Sequence, residues 1–224
     1  MQGYGEKGAR YVLLQPVDDH DLKEMAQEAA CIQAHTAVPF LLAPVPVQDW
    51  NKDLSPWPAP PVFGKEGFGD GAGKLLEGLL NQVLPALWQE YALPEDGKLL
   101  IGGYSLAGLF ALWAGYESEA FDGVAAASPS VWFPGFLDYA LARPLGARAV
   151  YLSLGDREER TKNPVMGRVG DCIRTLHNHY QDTPSLSTTL EWNPGNHFQD
   201  PGLRTGKAFA WTLNRLEAEA PSMK

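Results

Sequence analysis

A serine stands where an apolar, strand-like run stops at a tight turn and a helix opens at once: Lys98-Leu99-Leu100-Ile101-Gly102-Gly103-Tyr104-Ser105-Leu106-Ala107-Gly108-Leu109-Phe110. A serine that attacks a carbonyl carbon has to project from a sharp turn at a helix N-terminus. Small residues two before and two after it let strand and helix come close enough. Gly103 and Ala107 are those residues, giving G-x-S-x-A in place of the usual G-x-S-x-G. A Gly-rich turn that only packs is the alternative. The apolar strand before Ser105 and the apolar helix after it favour the nucleophile.

Such a serine needs a base and an acid to orient it, each just past the end of a later strand, in the chain order Ser, acid, His. Both appear in that order. Val150-Tyr151-Leu152-Ser153-Leu154 runs into Gly155-Asp156-Arg157-Glu158-Glu159, which offers three carboxylates. Glu158 is preferred, because a position three beyond the turn glycine lets the chain bend back over the sheet. Asp156, on the bend itself, is the alternative acid. Asn193-Pro194-Gly195-Asn196-His197-Phe198 then supplies a histidine in a Pro/Gly loop before the last helix. An imidazole there can take the serine proton and return it to a leaving group.

The other candidate chemistries fall away on spacing. His20 and His35 fall at helix ends before the nucleophile, and His177 and His179 are two apart, which on a helix points them away from each other. No H-E-x-x-H or cysteine pair is present, so no metal site is expected. No G-x-G-x-x-G follows the first strand and no G-x-x-x-x-G-K-[ST] occurs, so no dinucleotide or nucleotide cofactor is expected. Cys31 and Cys172, each inside a helical pattern, read as reduced, buried thiols.

The elements that must position these residues alternate between the two periods. Strand patterns fall at Tyr11–Val17, Pro39–Val47, Lys98–Tyr104, Val124–Ala127, Ala149–Leu154 and Ser187–Trp192. Helical patterns fall at Asp21–His35, with Asp19 as N-cap, and at Leu75–Tyr91, with a kink at Pro85. Four more follow at Leu106–Tyr116, Phe136–Ala142, Val165–Tyr180 and Leu203–Glu219. This alternation predicts an α/β fold, a parallel sheet with helices on both faces. Pro44 and Pro46 favour an edge position for the second strand. The segment 48–73 reads as a long functional loop, because Trp50, Trp57, Phe63 and Phe68 argue for packing over slack.

With 224 residues the chain suits a single domain, residues 1–224. Its 18 basic against 27 acidic residues leave a net charge of -9. That surface repels phosphate backbones and anionic lipid, so neither nucleic acid nor a membrane is expected as partner. No apolar run approaches the roughly 20 residues of a membrane span, and the first residues lack a signal-peptide core. A soluble, cytoplasmic chain is the expectation.

At Gly102-Gly103-Tyr104-Ser105-Leu106-Ala107-Gly108, Ser128-Pro129-Ser130-Val131-Trp132 and Gly195-Asn196-His197-Phe198 the chain resembles an esterase family of the α/β-hydrolases. That family includes feruloyl and acetyl esterases, S-formylglutathione hydrolases and siderophore trilactone esterases, and the likeness spans residues 10 to about 215. It implies Ser105 as nucleophile, His197 as base and Glu158 as acid. It also implies Leu106 N–H as one oxyanion donor, with Val17 or Asp18 N–H as the second because Pro16 has no N–H. Ser128 to Trp132 is implied as a pocket wall.

Ala107 in place of glycine is one departure from the family. The lack of room for two extra strands before Tyr11 is another, so the expected sheet is trimmed to six parallel strands in the order 2-1-3-4-5-6. The expected reaction is hydrolysis of a small, neutral or weakly charged ester in a pocket built from Trp50, Trp57, Phe68, Trp132 and Phe198. A siderophore trilactone esterase is one alternative, and a binding module that keeps the fold without the chemistry is another.

Overall fold

Every residue of Tyr11–Val17 is buried, as a strand covered by helices on both faces must be, whereas an antiparallel strand with one wet face alternates. The computed structural model describes residues 3–220. In it this segment is β2 of seven strands: β1 (Tyr4–Gly5), β3 (Phe40–Pro46), β4 (Lys98–Tyr104), β5 (Gly123–Ala127), β6 (Ala149–Gly155) and β7 (Ser187–Asn193) complete the sheet. The order is β1-β3-β2-β4-β5-β6-β7, and every neighbouring pair is parallel except β1 with β3.

Seven strands correct the expected six. Among the described residues before Tyr11 no two-stranded hairpin forms. A two-residue strand asks for far less chain, and Tyr4 and Gly5 pair with Leu42 and Leu41 of β3. This cover reaches only the first half of β3, so Pro44 and Pro46 lie past it on the open edge, where proline is tolerated. The other six strands keep the order 2-1-3-4-5-6.

The helices divide between two faces. Alternate residues of β2 sort the cores: Tyr11, Leu13 and Val17 pack with Met25 and Ile32 of α1 (Asp21–His35) and with Phe209 and Leu213 of α8 (Pro201–Glu219). Val12 and Leu14 face the opposite core, with Phe110 of α5 (Leu106–Glu117), Phe136 of α6 (Phe136–Leu141) and Ile173 of α7 (Val169–Gln181). Cys31 on α1 and Cys172 on α7 are buried free thiols on these opposite faces. Helix α5 is apolar almost all round, and ten of its twelve residues are buried, the pattern of a helix pressed against a sheet.

Three local readings are refined. The N-cap position of α1 is His20, not Asp19, and its side chain makes no cap bond; Asp18 Oδ1 accepts from both His20 N–H and Asp21 N–H at 2.8 Å. The single kinked helix is α3 (Ala72–Gly78), a π turn over Leu79–Val83 and α4 (Leu84–Glu90). Leu84 N–H bonds to Leu79 O, and the widened turn sits just before Pro85, which has no N–H to give. Segment 48–73 is more ordered than a loop. It holds α2 (Trp50–Asp53), capped by Asp49 Oδ1 accepting from Lys52 N–H at 3.0 Å, and an antiparallel bridge between Ala59 and Phe68.

Successive strands run outward in one direction from β2 to β3 and in the other from β4 onward. The crevice between β2 and β4, at their carboxyl ends, is therefore the switch point of the sheet. Ser105 leaves β4 there.

Candidate active site

The turn at Ser105 is strained in the way a projecting nucleophile demands. Ser105 has φ 58° and ψ -119°, a backbone conformation that side chains other than glycine rarely adopt. Hydrogen bonds hold it on three sides. Its N–H donates to Ala127 O at 3.2 Å, and its carbonyl accepts from Leu109 N–H and Ser130 N–H, both at 3.0 Å. The small-residue rule is visible in the packing: a Cβ on Gly103 would lie 2.6 Å from the Ala107 Cβ. Ala107 is accommodated because Gly103 has given up its own side chain.

His197 arrives from the loop between β7 and α8. That loop turns at Gly195, whose φ of 103° is open to glycine alone at little cost. His197 Nε2 stands 3.0 Å from Ser105 Oγ, and Nδ1 stands 2.7 Å from Glu158 Oε2. The ring is partly exposed, with 26% of its side-chain surface open, whereas the Glu158 side chain keeps 4%. Serine, histidine and glutamate thus form one hydrogen-bonded line from the ends of three different strands.

The two carboxylates after β6 have different partners. Glu158 sits in a 3₁₀ turn, Glu158–Arg160, that folds back over the strand ends. Asp156 points away from the imidazole and accepts the Gly195 N–H at 2.8 Å, so it fastens the histidine loop to the loop after β6. Glu158 Oε1 is held by Gly155 N–H and the Ser128 hydroxyl, both at 2.7 Å, and by Arg204 Nη1 at 3.2 Å. Ser128 reaches it from a left-handed backbone, φ 42°.

Leu106 opens α5, where first-turn N–H groups have no carbonyl within the helix to bond. It therefore presents a donor beside Ser105. Val17 ends β2 across the switch-point crevice and Asp18 follows it; like Leu106, neither is among the residues lining the cleft over Ser105. The Asp18 N–H is only weakly occupied, 3.4 Å from Asp21 Oδ2.

That cleft has a volume of about 540 Å³, within the range of small-molecule sites. Of the five aromatics expected to form it, Trp132 and Phe198 line it, and Phe198 is 86% exposed. Trp50, Trp57 and Phe68 do not. Phe68 is buried edge-on behind Trp132, their ring centroids 6.1 Å apart. Trp57 packs on Phe133 and donates its indole N–H to Pro134 O at 2.8 Å. Trp50 is half-buried against the core. The loop aromatic that reaches the cleft is Phe63, 45% exposed.

Ser130, within the expected wall Ser128 to Trp132, lines the cleft with its Oγ 3.4 Å from Ser105 Oγ. Sequence reasoning missed several other residues. Met166, Val169, Arg157 and Arg160 line the far wall. Arg204, 3% exposed behind the acid, had a legible signal: it is a cation on the apolar stripe of α8, and such a residue must meet a carboxylate.

Burial pushes the Tyr104 hydroxyl up to about 12, chiefly by desolvation. It is therefore a neutral donor, and it gives its proton to the His197 carbonyl at 2.7 Å. Among the described residues, Asp18, His20 and Asp21 are the group whose ligand atoms lie within reach of a common ion. Asp18 Oδ1 there already accepts from the N–H groups of His20 and Asp21. No described helix is long and apolar enough to cross a membrane.

No family model and no curated protein matches the sequence. Solved structures do. The siderophore hydrolase EstA from Aspergillus nidulans matches over 93% of this chain and 84% of its own, at TM-score 0.69 and 21% identity. An IroE-like serine hydrolase from Shewanella oneidensis matches over 96% and 74%, at TM-score 0.75 and 14% identity. The siderophore hydrolase EstB from Aspergillus nidulans matches over 97% and 85%, at TM-score 0.70 and 18% identity. The resemblance carried by the three sequence motifs and the likeness to these structures point the same way: the chain has the α/β-hydrolase fold of these three proteins.

Proposed function

We propose that this protein is a serine carboxylic-ester hydrolase that cleaves small acyl esters through a Ser105 acyl-enzyme. The observation that carries the reading is the continuous line from Ser105 Oγ to His197 Nε2, 3.0 Å, and from His197 Nδ1 to Glu158 Oε2, 2.7 Å. It lies at the floor of a largely apolar cleft. In the reaction, His197 removes the Ser105 proton as Oγ bonds to the ester carbon, and the carbonyl electron pair moves onto its oxygen. The Leu106 N–H, in the first turn of α5 beside Ser105, stabilises that oxyanion. Collapse of the intermediate breaks the bond to the alcohol, which leaves with the proton from His197. Water then repeats the sequence and releases the acid. Glu158 fixes the imidazole tautomer and stabilises the imidazolium formed in each step.

A p-nitrophenyl ester series from acetate to decanoate tests the activity and its chain-length preference, and a fluorophosphonate probe tests the nucleophile. Turnover, with labelling lost in Ser105→Ala, is expected. No turnover and no labelling of the wild type would leave a binding module.

A second reading has its own support. Arg157 and Arg160 line one wall of the cleft in a protein whose net charge is -9, and two of the similar structures bear the name siderophore hydrolase. A cationic wall suits an anionic iron chelate. Hydrolysis of a trilactone siderophore with no turnover of simple esters would favour this narrower substrate class. The charge-removing pair Arg157→Gln and Arg160→Gln would then raise KM for the siderophore selectively.

A further inference from the structure

The last helix carries a cation where its packing face calls for an apolar side chain. The buried stripe of α8 runs Arg204, Ala208, Phe209, Thr212, Leu213 and Leu216. The guanidinium makes contacts to four separate segments. Nη1 lies 3.2 Å from Glu158 Oε1 in the turn after β6, 3.1 Å from the Tyr104 hydroxyl at the end of β4, and 3.4 Å from the Ser128 hydroxyl after β5. Nη2 donates to Pro194 O, in the histidine loop, at 2.9 Å. Tyr104 then closes the circuit by donating to the His197 carbonyl at 2.7 Å.

Counting donors shows what this arrangement does. A carboxylate offers two acceptor oxygens with about four lone-pair positions. Glu158 Oε1 receives Gly155 N–H, the Ser128 hydroxyl and Arg204, which leaves Oε2 facing His197 Nδ1. The carboxylate therefore cannot turn without breaking three bonds. One planar cation also ties the base side of the pair, because Pro194 O and, through Tyr104, the His197 carbonyl belong to the segment that carries the imidazole. A carboxylate as buried as Glu158 is tolerated in its charged form only where a counter-charge and donors replace water, and Arg204 supplies that charge.

We propose that Arg204 is a positioning residue for this acid–base pair, orienting the Glu158 carboxylate toward His197 Nδ1 and, with Tyr104, clamping the backbone that carries the imidazole. The inference rests on the triad reading above. It places the fixed end of the catalytic line in the final helix, away from the substrate cleft, and so separates turnover from substrate binding.

The test uses the full chain with Arg204→Met, which keeps length and removes the cation, Arg204→Lys, which keeps the cation and loses the fork, and Tyr104→Phe. Three quantities are read: kcat and KM for p-nitrophenyl acetate, the low-field proton resonance of His197 Nδ1–H, and the thermal transition. Arg204→Met is expected to lower kcat by on the order of 10²-fold, the cost of a small misplacement of reacting groups, with KM within about twofold and the low-field resonance shifted or lost. Arg204→Lys is expected to recover part of both kcat and the resonance, and Tyr104→Phe to fall between it and the wild type.

Should Arg204→Met fail to fold, the Lys and Phe variants carry the same comparison. A folded Arg204→Met with unchanged kcat and resonance overturns the inference, as does a rise in KM in place of the fall in kcat. An inactive wild type that still shows the resonance would overturn the hydrolase reading instead.

Discussion

Two carboxyl side chains are buried among the described residues, Glu158 and Glu28, and they are treated in opposite ways. Glu158 has four partners, one of them a guanidinium. Glu28, on α1 under the same sheet, has one: its Oε2 accepts from Gln15 Nε2 at 3.2 Å, while its Oε1 and the Gln15 Oε1 have no partner. Desolvation accordingly holds the Glu28 carboxyl well above the usual carboxylate range, which favours its neutral form. Burial alone thus does not make a carboxyl functional. The partners determine which charge state of a buried carboxyl is favoured, and an anion stabilises an imidazolium as a neutral acid does not.

The strongest way to break this comparison is to remove the charge of Glu158. Glu158→Gln keeps the shape but offers His197 Nδ1 a neutral partner, and kcat for p-nitrophenyl acetate is expected to fall by on the order of 10² to 10⁴-fold. Asp156→Asn, two residues away, keeps an oxygen for the Gly195 N–H and is expected to lose no more than about threefold, the scale of one neutral hydrogen bond perturbed. Equal losses in the two variants would refute the assignment of the acid.

Glu28→Gln sharpens the other half and acts on stability alone. The folded-state value of Glu28 is raised, so its contribution is complete below the unfolded value of 4.5 and is lost as pH rises toward the folded value. The amide cannot ionise, and its NH₂ has the orphan Gln15 oxygen as a neighbouring acceptor. The variant is therefore expected to unfold at a higher temperature than the wild type near neutral pH. The gap should narrow as pH falls toward 4.5, with kcat unchanged. A gap independent of pH across that window would show that Glu28 does not titrate as described.

The sequence made some parts of this site readable and hid others for physical reasons. The strained turn at Ser105 was legible because it needs particular small residues at fixed offsets, and Gly103 and Ala107 occupy them. Glu158 could be preferred over Asp156 because the chain has to bend before a side chain can return over the sheet. The pocket was less legible. Which face a loop aromatic takes is set by distant packing, so Phe63 and Phe68, five residues apart, end with one in the cleft and the other behind its wall. The strand β1 was invisible because two residues carry no periodicity, and the π turn before Pro85 leaves the apolar stripe of its helix unbroken. Arg204 was visible as a charge on an apolar face, but its destination was not, since that depended on four segments far apart in the chain.

The central claim is that Ser105, His197 and Glu158 act as one unit that passes through a covalent acyl intermediate. Rapid-quench mass spectrometry of the enzyme mixed with a slowly deacylating p-nitrophenyl ester tests it most directly. The account requires a burst of p-nitrophenol, at most one per active chain, together with an acyl mass on the peptide that contains Ser105, both absent in Ser105→Ala. An acyl group carried on any other residue, or a burst that survives the loss of Ser105, would contradict it.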